Sequence, residues 1–318
     1  MPQNIFQAVQ HRNFLNPKPI FMKNVLVAAL LLLSQIMIAQ GYLKFGGGYG
    51  FSASKDNFSA PVLVFQNNNA IVSKENIYGT IGSGATFRLA GGYTFSNNFG
   101  IELEAYYLMG DKKYVAEEFN STSDYRETKF ASTKQFRVFP SVYARASKGL
   151  IKPYVGFGPV LPIAGFTYLE LRTEEPVINK SSYRYYRVSG NFTVGFESYC
   201  GASINWPNEN FNLFVEMRYT GVRVKSKKAK LTEWTETEIS SGNVTNKLET
   251  ADLFYTEINF VDKITNESNT LPTVLGGINT SIPDFDKPMD DLTSKNNFNA
   301  FGINIGVRVN MVKSQNAK

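Results

Sequence analysis

Phe99-Gly100-Ile101-Glu102-Leu103-Glu104-Ala105-Tyr106-Tyr107-Leu108-Met109 alternates. Phe99, Ile101, Leu103, Ala105, Tyr107 and Met109 are apolar, and the residues between them begin as Gly100, Glu102 and Glu104. A period of two turns successive side chains to opposite faces, so this stretch reads as a strand with one apolar and one polar face. Similar segments recur along the chain, behind a stretch with the features of a secretion signal.

The pattern predicts eight strands of barrel length: Tyr42–Phe51, Ser83–Phe95, Phe99–Met109, Thr133–Ala146, Lys152–Ile163, Val188–Ile204, Phe211–Val224 and Phe298–Met311. Ser96-Asn97-Asn98, Ser147-Lys148-Gly149 and Trp206-Pro207-Asn208 carry turn chemistry. The other connections, 52–82, 110–132, 165–187 and 225–297, are long. Short turns on one side and long loops on the other are the pattern of a membrane-spanning barrel with its long loops outside the cell. Within the last loop, Leu231–Ile239 and Leu253–Val261 read as a ribbon extending strands seven and eight. The expected fold is therefore all-β: a transmembrane, up-and-down antiparallel β-barrel of about eight strands, with ten as the variant count. Pro140 and Pro159 fall inside strands and imply bulges or lost ladder bonds.

Taking the apolar face as outward, the inner face collects Lys44, Arg88, Arg137, Arg145, Arg218 and Arg308 together with Glu102, Glu104, Glu197 and Glu216. An unpaired buried charge costs several kcal/mol, so these groups are expected to form an ion-pair network filling a narrow lumen. An ion or proton path is the functional alternative. Gly46, Gly48, Gly50, Gly92, Gly156, Gly158 and Gly195 share the polar face and read as room for the long charged side chains. The same alternation, facing the other way, fits a soluble lipocalin-like barrel with an apolar cavity.

Lys23 precedes an apolar run, Val25–Leu33, that ends in Ser34–Ala39. This matches a secretory signal peptide, and the run is shorter than the ~20 residues of a helical span. The division read here is an N-terminal extension 1–21, a leader 22–39 starting at Met22, and a barrel domain 40–318; Met37 departs from the small residue usual three positions before a cut. Residues 1–39 hold Arg12, Lys18 and Lys23 and no acid, so the formal charge of +6 falls to about +3 without them. That balance gives no reason to expect nucleic acid as a partner.

His11 is the single histidine and Cys200 the single cysteine. Beyond the leader there is no histidine, so histidine-based hydrolysis or acyl transfer has no counterpart, and no metal, cofactor or catalytic residue is expected. Cys200 faces lipid in this register and reads as a space-filler. Glu102 and Glu104 have a glycosidase-like spacing but sit beside several arginines. Gly46–Gly50 precedes no helix and makes a poor phosphate loop.

Two basic clusters remain. Arg223, Lys225, Lys227, Lys228 and Lys230 lie where strand seven leaves the membrane, and Arg184 and Arg187 precede strand six. They read first as a solvated ribbon stem carrying charge, with contact to lipopolysaccharide phosphate as the functional alternative. Tyr183, Tyr185 and Tyr186 fit an aromatic girdle.

The opening Tyr42-Leu43-Lys44-Phe45-Gly46-Gly47-Gly48-Tyr49-Gly50-Phe51 and the closing Phe301-Gly302-Ile303-Asn304-Ile305-Gly306-Val307-Arg308-Val309, behind such a leader, resemble the small OmpA/OmpX-like and porin-like outer-membrane barrels of Gram-negative bacteria. The Ala39-Gln40 junction resembles leader ends common in Bacteroidetes. The resemblance covers nearly all of residues 40–312. It implies an integral outer-membrane protein, non-enzymatic, with a structural or adhesive role, a narrow pore being the alternative. Implied partners are outer-membrane lipid and lipopolysaccharide, the barrel-assembly machinery, and a host or environmental surface ligand. The last strand departs from the family by ending at Val309-Asn310-Met311 rather than on an aromatic residue.

Overall fold

The computed structural model describes residues 41–53, 57–66, 70–121, 123–205, 210–271 and 282–311. The extension, the leader, the Trp206-Pro207-Asn208 turn and the tail beyond Met311 lie outside the described residues. Eight strands form the barrel: β1 (Gly41–Ser52), β2 (Gly84–Thr94), β3 (Phe99–Gly110), β4 (Tyr125–Arg145), β5 (Ile151–Glu175), β6 (Gly195–Asn205), β7 (Phe211–Gly221) and β8 (Ala300–Asn310). Each pairs antiparallel with its sequence neighbour in this series, and β8 pairs with β1, so the cylinder is closed.

The register fixes its size. Following rungs from Gly41 through Tyr93, Ile101, Val142, Phe157, Ser198, Tyr219 and Phe301 returns to β1 at Phe51, ten residues higher. With ordinary strand spacing that stagger gives a tilt of about 40° and a backbone radius of about 8 Å. Side chains alone fill such an interior.

The apolar face is the outer one. Phe45, Phe87, Leu89, Ile101, Leu103, Val142, Phe157, Val215, Met217, Ile303 and Ile305 are all exposed around the barrel, and so is Cys200. Inside lie Lys44, Glu102, Glu104, Arg137, Glu197, Glu216 and Arg218, all buried. The lipocalin-like orientation is thereby overturned, since its apolar face would line a cavity. Aromatics mark both rims, with Phe95, Phe99 and Phe211 near the short turns and Tyr49, Phe51, Tyr107 and Tyr219 at the other end.

Pro140 and Pro159 make no bulge. They face each other across the β4–β5 seam, where the ladder loses its rungs between Val138↔Leu161 and Val142↔Phe157 without changing register. Neither proline has an N–H to give, and pairing them concentrates the loss at one place. The bulge of this seam is higher, between Phe136 and Arg137, and it leaves Ile163 unpaired on β5.

Three expectations about the connections need correction. First, 110–132 and 165–187 are mostly strand: β4 and β5 run far past the apolar band and pair with each other to Arg126↔Glu174. They continue because pairing satisfies their backbone and because their inner face buries Ala131, beside Val188 and Leu231 of neighbouring strands. The first loop also holds a hairpin, Asn57–Gln66 with Ala70–Tyr78. Second, the sixth strand is interrupted. Lys180–Gly190 and β6 keep one register on β5, but residues 191–194 leave the ladder and expose Phe192 and Val194. Third, the ribbon has other partners. Arg223–Glu238 continues β7 above the barrel: its base, Arg223–Lys225, keeps the β7–β8 register on Lys295–Asn297, but from Ser226 upward it pairs with Lys180–Gly190. Leu253–Thr256 is a helical turn, and Glu257–Val261 pairs with Lys228–Lys230 on one side and, in parallel, with Met289–Leu292 on the other.

An exterior position near mid-height should therefore reject charge. Val215→Arg is expected to lower the unfolding free energy in bilayers by about 2–4 kcal/mol, read from urea titration of heat-modifiable gel mobility. A neutral result would mean that lipid does not cover this face.

Candidate functional site

Arg218 stands at the centre of the lumen. It projects inward from β7, two residues above Glu216, and reaches three carboxylates. Arg218 Nη1 donates to Glu197 at 2.8 Å, and Nη2 lies 2.8 Å from Glu104 and 2.7 Å from Glu216. Its Nε also donates to Glu216 at 2.8 Å. Arg88 closes the ring by pairing with Glu104 and, at 2.8 Å, with Glu197. Lys44 pairs with Glu216 and, at 3.2 Å, with Glu102. Five strands are thus tied across the lumen by groups that each come from inward parity positions.

Tyrosines complete the shell. Tyr42 Oη donates to Glu102 at 2.8 Å, Tyr106 Oη to Glu197 at 2.7 Å and Tyr154 Oη to Glu216 at 2.7 Å. Thr220 Oγ1 donates to Glu197 at 3.1 Å. Tyr199 packs its ring against both Lys44 and Arg218. These donors stand on inward positions of an alternation that is legible in the sequence, but tyrosine fits either face of a membrane strand, so type alone does not single them out.

Not all of the inner-face cations join the ion pairs. Arg137 donates to Gln135 at 2.8 Å and 3.0 Å and to Tyr106 Oη at 3.5 Å. Arg145 and Arg308 lie at the lower end, with no salt bridge to a described carboxylate. Sequence parity puts all three on the polar face, but position along the barrel decides their partners: Glu104, Glu197 and Glu216 occupy the middle layers, and Glu102, nearest the lower end, is taken by Lys44 and Tyr42.

Three of the inner-face glycines, Gly46, Gly92 and Gly156, make room for aromatic rings rather than for the charged side chains, while Gly48, Gly50, Gly158 and Gly195 face Asn304, Ala300, the Pro140 carbonyl and Val222. A Cβ on Gly46 would meet Phe214 Cζ at 2.9 Å, and the Tyr42 and Tyr199 rings lie directly over Gly92 and Gly156. Above the ionic layer, Ile81, Leu108, Val160, Val222 and Phe298 are buried and form an apolar layer at the outer rim. The lumen is closed by these two unlike layers.

Glu102 is held by Lys44 and the Tyr42 hydroxyl and Glu104 by Arg88 and Arg218, and no cluster of three or more metal-ligating side chains occurs among the described residues. Among the surface cations, Arg223, Lys225, Lys227, Lys228 and Lys230 are all exposed on Arg223–Glu238. A register shift between Ser226 and Lys228 places Lys227 and Lys228 outward in succession. Arg187 faces the same side, opposite Lys230 and 4.3 Å over the Phe166 ring. Arg184 does not join them: three residues away on the strand, it points to the other face and stacks 4.8 Å over Trp234. Tyr185 stacks between Tyr168 and Tyr183 beyond the apolar band, which ends on β5 at Ile163, so with Tyr186 these tyrosines stand above the girdle rather than in it.

A closed strand cylinder with an apolar exterior and a charged interior is the architecture of small outer-membrane β-barrel proteins. Among solved structures, the chain is similar to Neisserial surface protein A, with 11% identity and a TM-score of 0.35 over 85% of this chain and 96% of that one. It is also similar to a major outer membrane protein from Thermus thermophilus, with 9% identity and a TM-score of 0.35 over 85% of this chain and 98% of that one. No family model and no curated protein matches the sequence.

Removing Arg218 leaves Glu104, Glu197 and Glu216 short of positive charge in a buried layer. Arg218→Met is expected to cost on the order of 3–5 kcal/mol of barrel stability, against a smaller loss for Arg218→Lys, both read from urea midpoints. A second expectation concerns the sheet above the membrane. Burial alone would raise the Glu170 carboxyl, but hydrogen bonds from Lys112, at 2.5 Å, and Arg172, at 2.7 Å, outweigh it and hold Glu170 below the ordinary carboxylate range. A depressed folded-state value contributes stability above the ordinary carboxylate pKa of about 4.3 that disappears as pH falls through the folded value. Amide exchange along 169–174, corrected for intrinsic rates, should show easier opening below about pH 4, and Glu170→Gln should abolish that pH dependence.

Proposed function

We propose that this chain is an integral, non-enzymatic outer-membrane β-barrel, exported through a leader at 22–39, that holds a folded sheet at the cell surface and contacts lipopolysaccharide through its basic flank. The observation that carries the reading is the division of the barrel into an apolar exterior and a lumen closed by paired charges. Such a body is insoluble without lipid and offers solutes no open path. Its role is then structural or adhesive, centred on the sheet built from the upper halves of β4 and β5, Lys180–Gly190 and Arg223–Glu238.

The lipopolysaccharide contact rests on the outward cations just above the apolar band. Lys227, Lys228 and Arg187 face outward with no salt bridge to a described carboxylate, whereas Lys225 and Lys230 pair with Asp262 and Glu257. Lys134 adds a further outward cation on β4, near the Tyr168 ring. Cations at a membrane surface contribute about 1 kcal/mol each towards anionic headgroups.

Two measurements test this reading. A triple charge reversal, Arg187→Glu with Lys227→Glu and Lys228→Glu, is expected to weaken binding to lipopolysaccharide micelles by on the order of a hundredfold, while Lys287→Glu leaves it unchanged. Equal affinity in the triple variant would remove the flank from the proposal. In planar bilayers the purified barrel is expected to show no large, stable conductance; a steady large current would favour the narrow-pore reading instead.

A further inference from the structure

We propose that the lower end of the lumen is a binding site for a phosphate-bearing anion. In the middle of the barrel each carboxylate has its cations. At the lower end the balance fails: Arg145 and Lys152 project inward beside Arg308, they act on one another's charge, and no described carboxylate forms a salt bridge with any of them. Glu102, which borders the same cavity, is already engaged by Lys44 and by the Tyr42 hydroxyl.

The donors are arranged for an oxyanion. The Arg308 guanidinium lies over the Tyr42 ring, its Cζ 3.5 Å from the centroid, and both side chains line the cavity. Nε of Arg145 and Nε of Arg308 are both buried without a hydrogen-bond acceptor. Buried unsatisfied donors and unbalanced charge are each costly in a narrow, low-dielectric mouth. One anion with several oxygens relieves both, because a guanidinium fork matches phosphate geometry with two parallel hydrogen bonds. Chloride answers the charge but not the fork.

The proposed orientation turns this mouth to the periplasm, where phosphate groups come from free solutes or from inner-leaflet lipid headgroups. The site itself depends only on the lumen geometry, so its test is independent of that orientation. Full-length protein refolded in zwitterionic detergent is titrated with inorganic phosphate by calorimetry at constant ionic strength. In parallel, its unfolding midpoint is compared in vesicles of phosphatidylcholine with and without phosphatidylglycerol.

Saturable 1:1 binding of phosphate is expected, with Kd raised at least about tenfold in Arg308→Gln and in Arg145→Gln and recovered in part by Arg145→Lys. Lys152→Gln, at the rim, supplies a milder variant should either arginine replacement fail to fold. A midpoint raised by phosphatidylglycerol, lost in the same variants and unaccompanied by phosphate binding, assigns the site to a lipid headgroup. Absence of both responses, or responses that survive every variant, overturns the proposal.

Discussion

Charge confined in a narrow cylinder must be neutralised locally, and Arg218 is where this barrel does so. Its guanidinium is shared by Glu104, Glu197 and Glu216 within hydrogen-bond distance. Water cannot screen groups in a lumen about 8 Å in backbone radius, so each carboxylate is met by cations, and Glu102, Glu197 and Glu216 by hydroxyls as well. The ring formed with Arg88 and Lys44 ties β1, β2, β3, β6 and β7 together across the interior. Those ties fix which face of each strand points inward, and the exterior is left to be apolar throughout.

The same constraint explains the accommodations around the network. Aromatic rings of Tyr42, Tyr199 and Phe214 lie over glycines of adjacent strands, because no other residue lets a ring and a backbone approach so closely in the interior. The two prolines of the β4–β5 seam confront each other instead of each breaking a separate seam. The rungs that these two prolines cannot make are thus lost together, at one place on one seam. Above the band, the strands do not end where lipid ends. They continue as a paired sheet whose inner face has apolar side chains to bury and whose outer face carries cations.

Charge is distributed unevenly along the axis. The middle is balanced, the lower mouth is positive, and the outer flank above the apolar band is positive again. Balanced charge gives cohesion to the barrel, whereas the unbalanced ends are the places where an outside anion has something to gain. Inner-face position alone does not distinguish these classes: Arg145 and Arg308 share their parity with Arg218, but the glutamate nearest them, Glu102, is already engaged by Lys44 and Tyr42.

The sequence by itself determined the barrel. Strict alternation from Phe99 to Met109 and its recurrences set strand number and the inner and outer residue sets, because parity along a strand is a local property that needs no partner to define it. Which parity faced lipid became certain only on closure, when Leu103 was seen outside and Glu104 buried. The long connections were illegible for a related reason. The upper halves of β4 and β5, Lys180–Gly190 and Arg223–Glu238 are strands chiefly because they have one another to pair with, and their polar residues carry little periodic signal alone. Partner choice within the lumen was likewise a tertiary decision. Whether an arginine meets a glutamate, a tyrosine ring or nothing depends on stagger around the cylinder, and stagger exists only once the eighth strand has closed on the first.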